Sequence, residues 1–416
     1  MSDRRRGSSG WRAVALLLAT GVPACAGSGP QVPTSRTAII DTRHGRTALV
    51  LDFERIEGER TEIDRLLASH DAEVALISTP GAGIWKRLRD LEPPRAHITL
   101  VEACAGGRTA ACTREAAPFI AQLRDGPATA PTGAIVEDTI AGSAPAPPAV
   151  VVPTGQFQIN VIGPGGSWME RQAGRPVRLL RPIAVARTET TVAQFRRFVD
   201  ASGYRPGKGC WHHTREQVWE SHADADWTKP VFSQGQDHPV TCITFEDATA
   251  YAAWLTAKTG HTWRLPTEAE FEFFNRSGHV GRFGVDAPAV TDLCATTNGA
   301  DQASGLAYAN ACNDGFAATA PVGSYPANAF GLFDTTGNVW EITTDCVGRE
   351  FVRILKDRLR LAPSDASSSG STECPGRHVV RGGAFLSSPG NLEPSYYRLE
   401  GYRANRTGFR VVRELP

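Results

Sequence analysis

The rhythm of apolar and polar positions changes twice along this 416-residue chain. Between about residues 36 and 125, short apolar runs alternate with amphipathic stretches. "TALVLDF" (47–53), "AEVALIS" (72–78) and "HITLVEA" (97–103) are near-continuous apolar runs of strand length. Between them, "ERTEIDRLLASH" (59–70) spaces Ile63, Leu66 and Leu67 at helical period, and "IWKRLRDL" (84–91) and "REAAPFIAQLRD" (114–125) predict two further helices. Pro118 delays or kinks the last of them. Strand–helix alternation predicts a small α/β domain with a parallel sheet. Residues 126–149 lose all periodicity: "GPATAPTG" and "AGSAPAPPA" read as a semi-rigid Pro/Ala-rich linker, with a boundary near 149.

From 150 to 416 the pattern changes again, to dense glycines and aromatics with three helix signatures. "TTVAQFRRFVDAS" (190–202) puts Val192, Phe195, Phe198 and Val199 on one face, with Thr190 or Thr191 as N-cap. "TFEDATAYAAWLTAKTG" (244–260) opens on Thr244, places Asp247 as a capping-box acid and stops at Gly260. "RLPTEAEFEFFNRSG" (264–278) repeats the device with Thr267 and Glu270. The other glycine-spaced segments predict turns and short strands, so this part is expected to be one α+β domain.

Composition adds little to the fold but bounds the function. Hydrophobic content of 41% and charged content of 21% suit a packed core. Lys+Arg and Asp+Glu are both 44, and this balance gives no reason to expect nucleic acid as a partner. The first 25 residues read as an export signal. Arg4, Arg5 and Arg6 precede "AVALLLAT" (13–20), which is too short to span a bilayer. "VPAC" then resembles a lipobox, in which Cys25 is lipidated and residues 26–35 form a tether. The expectation is a lipid-anchored protein of the cell envelope, with membrane as a partner through the anchor. An ordinary secretory signal, giving a secreted protein, is the alternative.

Removing Cys25 leaves Cys104, Cys112, Cys210, Cys242, Cys294, Cys312, Cys346 and Cys374, an even set suited to disulfides in an oxidising compartment. Eight cysteines allow 105 connectivities. Sequential pairing closes only short loops and is the expected pattern. "TPGAG" (79–83) follows a predicted strand, but it reads as a tight turn because the third glycine of a nucleotide loop is missing. "CWHHTREQVWESHADADW" (210–227) holds His212, His213, His222, Asp224 and Asp226, yet its spacing fits no standard zinc pattern, and it reads as a solvated loop.

Five ordered motifs carry a resemblance: "HPVTCITFEDATAYAAWL" (238–255), "WRLPTEAEFEFFNR" (263–276), "APVGSYPANAFGLFDTTGNVWEI" (320–342), "VVRGGAFL" (379–386) and "RTGFRV" (406–411). Over about 150–416 the chain resembles the sulfatase-modifying-factor family, whose founding members are formylglycine-generating enzymes. The resemblance implies a fold related to the C-type lectin domain. It also implies two structural calcium sites. One would use Asn298, Gly299, Asp314 and Phe316; the other Asp334, Gly337, Val339 and Glu341. Oxygen-only ligands from tight loops suit calcium.

Formylglycine-generating enzymes carry two cysteines, five positions apart, in the loop after their Arg-Gly-Gly turn. These bind copper and oxidise a substrate cysteine, and soft thiolates suit Cu(I). At the matching positions this chain has Ser387 and Leu392, so neither copper nor that oxidation is expected. A serine nucleophile needs a base and an orienter. His378 precedes the turn, and no G-x-S-x-G elbow is present, so no catalytic residue is identified. A related branch of the family holds iron with histidines of an added helical domain, for which this chain shows no segment. Two function classes remain. One is a module holding a peptide, glycan or small-molecule ligand in its groove. The other is a non-heme oxidoreductase of the family, modifying a peptide or secondary metabolite. Trp340, Tyr396, Tyr397, Arg398 and Arg403 are the candidate groove residues for either.

Overall fold

The computed structural model describes residues 37–41, 47–52, 74–78, 97–101, 132–140, 144–159, 175–213, 218–278, 283, 290–347, 364–365 and 377–416. The architecture is α+β: among the described residues, three α-helices and several small sheets joined by turns. Among the described residues no helix is long and apolar enough to cross a membrane.

The first sheet has seven strands in the order Thr37–Asp41, Thr47–Asp52, Val74–Ser78, His97–Val101, Thr154–Ile159, Arg175–Leu179, Ser364–Asp365. Its second, third and fourth strands run parallel. The fourth hydrogen-bonds to Thr154–Ile159, so the sheet continues into the C-terminal part of the chain. The helices expected between these strands lie outside the described residues.

A five-stranded antiparallel sheet ties the two ends of the C-terminal part together. Its order is Trp263–Arg264, Val412–Glu414, Ile183–Ala186, Ala149–Val151, Ile135–Val136. The described residues 132–140 and 144–149 therefore do not behave as the linker that the composition of 126–149 suggested. Ile140, Ala146 and Ala149 are buried in the main core, and Asp138 holds Arg413 at 2.7 Å. Val151 joins the same core, and Ala134 and Val136 pack against it, whereas Ile135 is exposed.

Helix α1 (Val192–Ser202), α2 (Phe245–Thr259) and α3 (Glu268–Arg276) start at Thr191, Thr244 and Thr267, each with a complete capping box. A left-handed residue ends each one: Gly203, Gly260 and, unusually, Ser277 at φ 45°. α1 buries Val192, Phe195 and Phe198 against Tyr251 and Trp254 of α2. Each such side chain contributes about 1.5–3 kcal/mol on burial. α3 is buried nearly all round, and its Glu272 and Glu268 meet Arg381 at 2.8 and 2.9 Å.

A third sheet carries Trp340 and the strand that leads into the Gly382–Gly383 turn. Its order is Tyr397–Glu400, Arg377–Arg381, Trp340–Val347, Thr407–Gly408. The segment read as a solvated loop forms instead a hairpin, Cys210–His213 paired antiparallel with Trp219–His222. The structure pairs Cys210 with Cys242 and Cys294 with Cys312, two of the four sequential pairings. Cys104, Cys112 and Cys374 lie outside the described residues.

Candidate functional site

The loop after Arg381 is shaped by two glycines. Gly382 and Gly383 have φ of 91° and 85°, and a Cβ on Gly383 would meet Leu392 Cδ2 at 2.6 Å. Only glycine meets both demands. Arg381 is fully buried and donates to the carbonyl of Pro394 at 2.9 Å, which fastens the far end of the loop to the strand.

Ser387 and Leu392 are both turned inward. The Ser387 hydroxyl accepts from the Ala384 N–H at 2.9 Å, and the Ser387 carbonyl accepts from the Ala300 N–H at 3.0 Å. Leu392 packs with Phe283 and Leu293 in a small apolar cluster. Ser387 lines one cavity and His378 another, where His378 stacks on Phe245 with ring centroids 3.6 Å apart. The two are not brought together as a nucleophile and base.

The cavity beside Ser387 has a volume of about 300 Å³. Of the expected groove residues, Trp340 and Arg398 line it, with the Arg398 guanidinium 6.0 Å from the Trp340 ring centre. Tyr396 backs Trp340 at 5.9 Å between ring centres. The Tyr397 backbone belongs to the edge strand. Arg403 does not line the cavity; it pairs with Asp247 at 3.1 Å. Sequence reasoning missed Trp219, Tyr308, Tyr402 and Arg406, which also line the cavity. Arg406 lies 4.2 Å from the Trp219 ring centre and 3.4 Å from Glu400. Burial, and then the neighbouring Arg398 charge, push the Arg406 guanidinium below its ordinary range. Burial likewise raises the Glu400 carboxyl, and the arginines oppose it. The result is an aromatic-walled groove with two guanidinium groups at one end.

The first candidate calcium site has hard donors in place. Asn298 is buried; its Nδ2 donates to Ala318 O at 2.9 Å, while its Oδ1 has no hydrogen-bond partner. Asp314 accepts from the Gly299 and Phe316 N–H groups at 3.1 and 2.9 Å. Burial pushes its carboxyl up to about 6, and Asp301 adds to the rise. An orphaned buried oxygen beside a destabilised carboxylate fits a calcium ion.

The second site is more crowded. Both Glu341 oxygens are held by Arg410 at 2.6 Å. Asp334 adopts φ 53° and accepts from the Gly323 N–H at 2.6 Å. Gly337 has φ 84°, and a Cβ there would collide with Thr297 and Asn298. Sequence reasoning missed Glu189. It is fully buried, one oxygen accepts from Asn338 Nδ2 at 3.0 Å, and the other has no hydrogen-bond partner. Burial raises all three carboxyls, and Asp334 raises Glu189 further. Three buried carboxylates share one guanidinium, an imbalance that a divalent cation would correct. Asp334 and the free Glu189 oxygen fit such an ion, whereas Glu341 would share its oxygens with Arg410.

The ordered motifs, the buried Arg381 frame and the aromatic groove define a sulfatase-modifying-factor domain. The chain belongs to this family: residues 137–415 match the sulfatase-modifying factor enzyme 1-like domain. It is similar to the formylglycine-generating enzyme of Streptomyces coelicolor, 32% identical over 194 residues that span 40% of this chain and 58% of that enzyme. It is also similar to the hercynine oxygenase of Mycolicibacterium smegmatis, 30% identical over 301 residues, or 66% of this chain and 62% of that protein. The chain thus spans about three fifths of the length of these relatives. The solved structure of PvdO from Pseudomonas aeruginosa superposes on 68% of this chain and 99% of its own, at 27% identity and a TM-score of 0.54.

Proposed function

We propose that this protein is an exported, lipid-anchored domain of the sulfatase-modifying-factor family that binds a ligand without copper-dependent cysteine oxidation. Calcium supports its loops, and the ligand is a peptide, a glycan or a small molecule. The observation that carries the reading is the chemistry at Ser387 and Leu392. A hydroxyl that accepts a backbone hydrogen bond and a leucine packed in an apolar cluster offer no soft donor pair. No copper-centred step is therefore derived for this site. The walls of the groove remain well suited to recognition. Rigid aromatic faces and guanidinium groups give contact area and orientation at low conformational cost.

A binding array tests this directly. Immobilised peptides and glycans are probed with the wild type and with Arg398→Ala. Features retained by the wild type and weakened at least about tenfold in Arg398→Ala support recognition in this groove. Equal retention of both proteins would mean that ligands bind elsewhere. A second reading, an oxidoreductase acting on a peptide or secondary metabolite, takes its support from the likeness to hercynine oxygenase. Turnover of a retained ligand with consumption of oxygen would favour that reading.

A further inference from the structure

The hairpin beside the groove has two faces, and only one of them serves the groove. Residues directly opposite in an antiparallel pair share a face. Trp211, His213 and Trp219 turn one way: Trp211 stacks on Trp219 at 6.1 Å, and Trp219 lines the cavity. His212 stands opposite Glu220, with His222 two positions along on the same face. One ligand atom from each of His212, Glu220 and His222 lies within 4.8 Å of the others. The two imidazole rings are 4.6 Å apart between centres. His212 Nε2 is buried without a hydrogen-bond partner, and its distance to Glu220 Oε2 is 3.9 Å, too long for a hydrogen bond.

We propose that His212, Glu220 and His222 form a binding site for a divalent transition-metal ion, zinc foremost, on the outer face of this hairpin. Two imidazoles and a carboxylate are the donor types that zinc prefers, and they leave one position for water. Ligand atoms around a tetrahedral zinc lie roughly 3.3 Å apart, so the observed spread closes by small side-chain rotations. The strand under the site is held in advance. Cys210 is joined to Cys242, and Trp211 exchanges backbone hydrogen bonds with Arg403 and Asn405 at 2.8 and 2.9 Å. The Glu220 side chain is 53% exposed, so the ion has a path from solvent. Calcium, which seeks six to eight oxygens, is a poor competitor at this donor set. The linear sequence hides the site because the three ligands meet only across the hairpin.

The test is a zinc titration of the full chain, purified without a polyhistidine tag and kept in excess calcium. A colorimetric chelator competes for the metal. One zinc per chain is expected, with affinity at least about tenfold weaker in His222→Ala and in Glu220→Gln. Asp224→Asn, which alters an exposed neighbour outside the triad, should bind as the wild type does. His222 and Glu220 are surface residues, and unchanged melting curves of the apo variants would confirm intact folding. Absence of stoichiometric zinc, equal affinity in all three variants, or equal weakening in Asp224→Asn would each overturn the proposal.

Discussion

Replacing Asp334 by Asn examines the second candidate calcium site through linkage. Burial pushes the Asp334 carboxyl from its ordinary 3.8 up to about 6, against an opposing hydrogen bond from Gly323. A rise of that size means that ionising the carboxyl inside the fold costs about 3 kcal/mol more than in the unfolded chain. Below the ordinary value both states hold the proton, and the penalty is absent. As pH climbs from about 4 to about 6, the unfolded chain releases its proton first, so stability falls through that window and stays lower above it. Glu189 and Glu341 are raised by burial as well and act in the same direction. Asn keeps an oxygen to accept from Gly323 and removes the charge. Without calcium, Asp334→Asn should therefore gain on wild type by about 1.3 kcal/mol between about pH 5 and about pH 7, the remainder of the ~3 kcal/mol already having opened below pH 5. With calcium the gap at about pH 7 closes, because the ion stabilises the ionised wild type. Calcium at a hundredfold excess over its Kd contributes about 2.7 kcal/mol. Urea unfolding at both pH values, with calcium or with chelator, measures all four differences. A pH-independent gap in chelator, or equal calcium stabilisation of both proteins, would refute the reasoning.

Three further outcomes follow from the cysteines. Cys25→Ser should move the protein from the membrane fraction to the soluble fraction of a bacterial host, and a wild type already soluble after signal cleavage would count against lipid anchoring. Alkylating the unfolded, unreduced mature chain should add no label at the eight other cysteines, and two or more adducts would count against the pairing. Opening Cys210–Cys242, which spans 32 residues, by a double Ser substitution should lower stability by about 3–4 kcal/mol in urea unfolding.

The three helices were legible in detail because their signals are local. Each start places a threonine three residues before Gln194, Asp247 or Glu270, and the capping bonds form within one turn. The groove was legible at Trp340, inside a motif, and at Arg398, on the segment that follows the Arg381 turn. Trp219 and Arg406 escaped because they converge from distant segments and because the strands around Trp219, "CWHH" and "WESH", lack an apolar alternation. The described part of the 126–149 segment was misread because its Pro/Ala-rich composition hides its sparse apolar positions. Glu189 sits in "RTETT" (187–191) with nothing local to mark it, and its role emerges only from burial beside Asn338 and Asp334.

The central claim is that this family member holds ligands without oxidising cysteine through copper. Purified protein is incubated with a cysteine-containing sulfatase-type peptide, copper, oxygen and a reductant, and the peptide is weighed by mass spectrometry. The account predicts an unchanged thiol, at the level of a no-protein control, because Ser387 and Leu392 cannot hold Cu(I). Loss of the thiol with formation of the aldehyde above that control would contradict it.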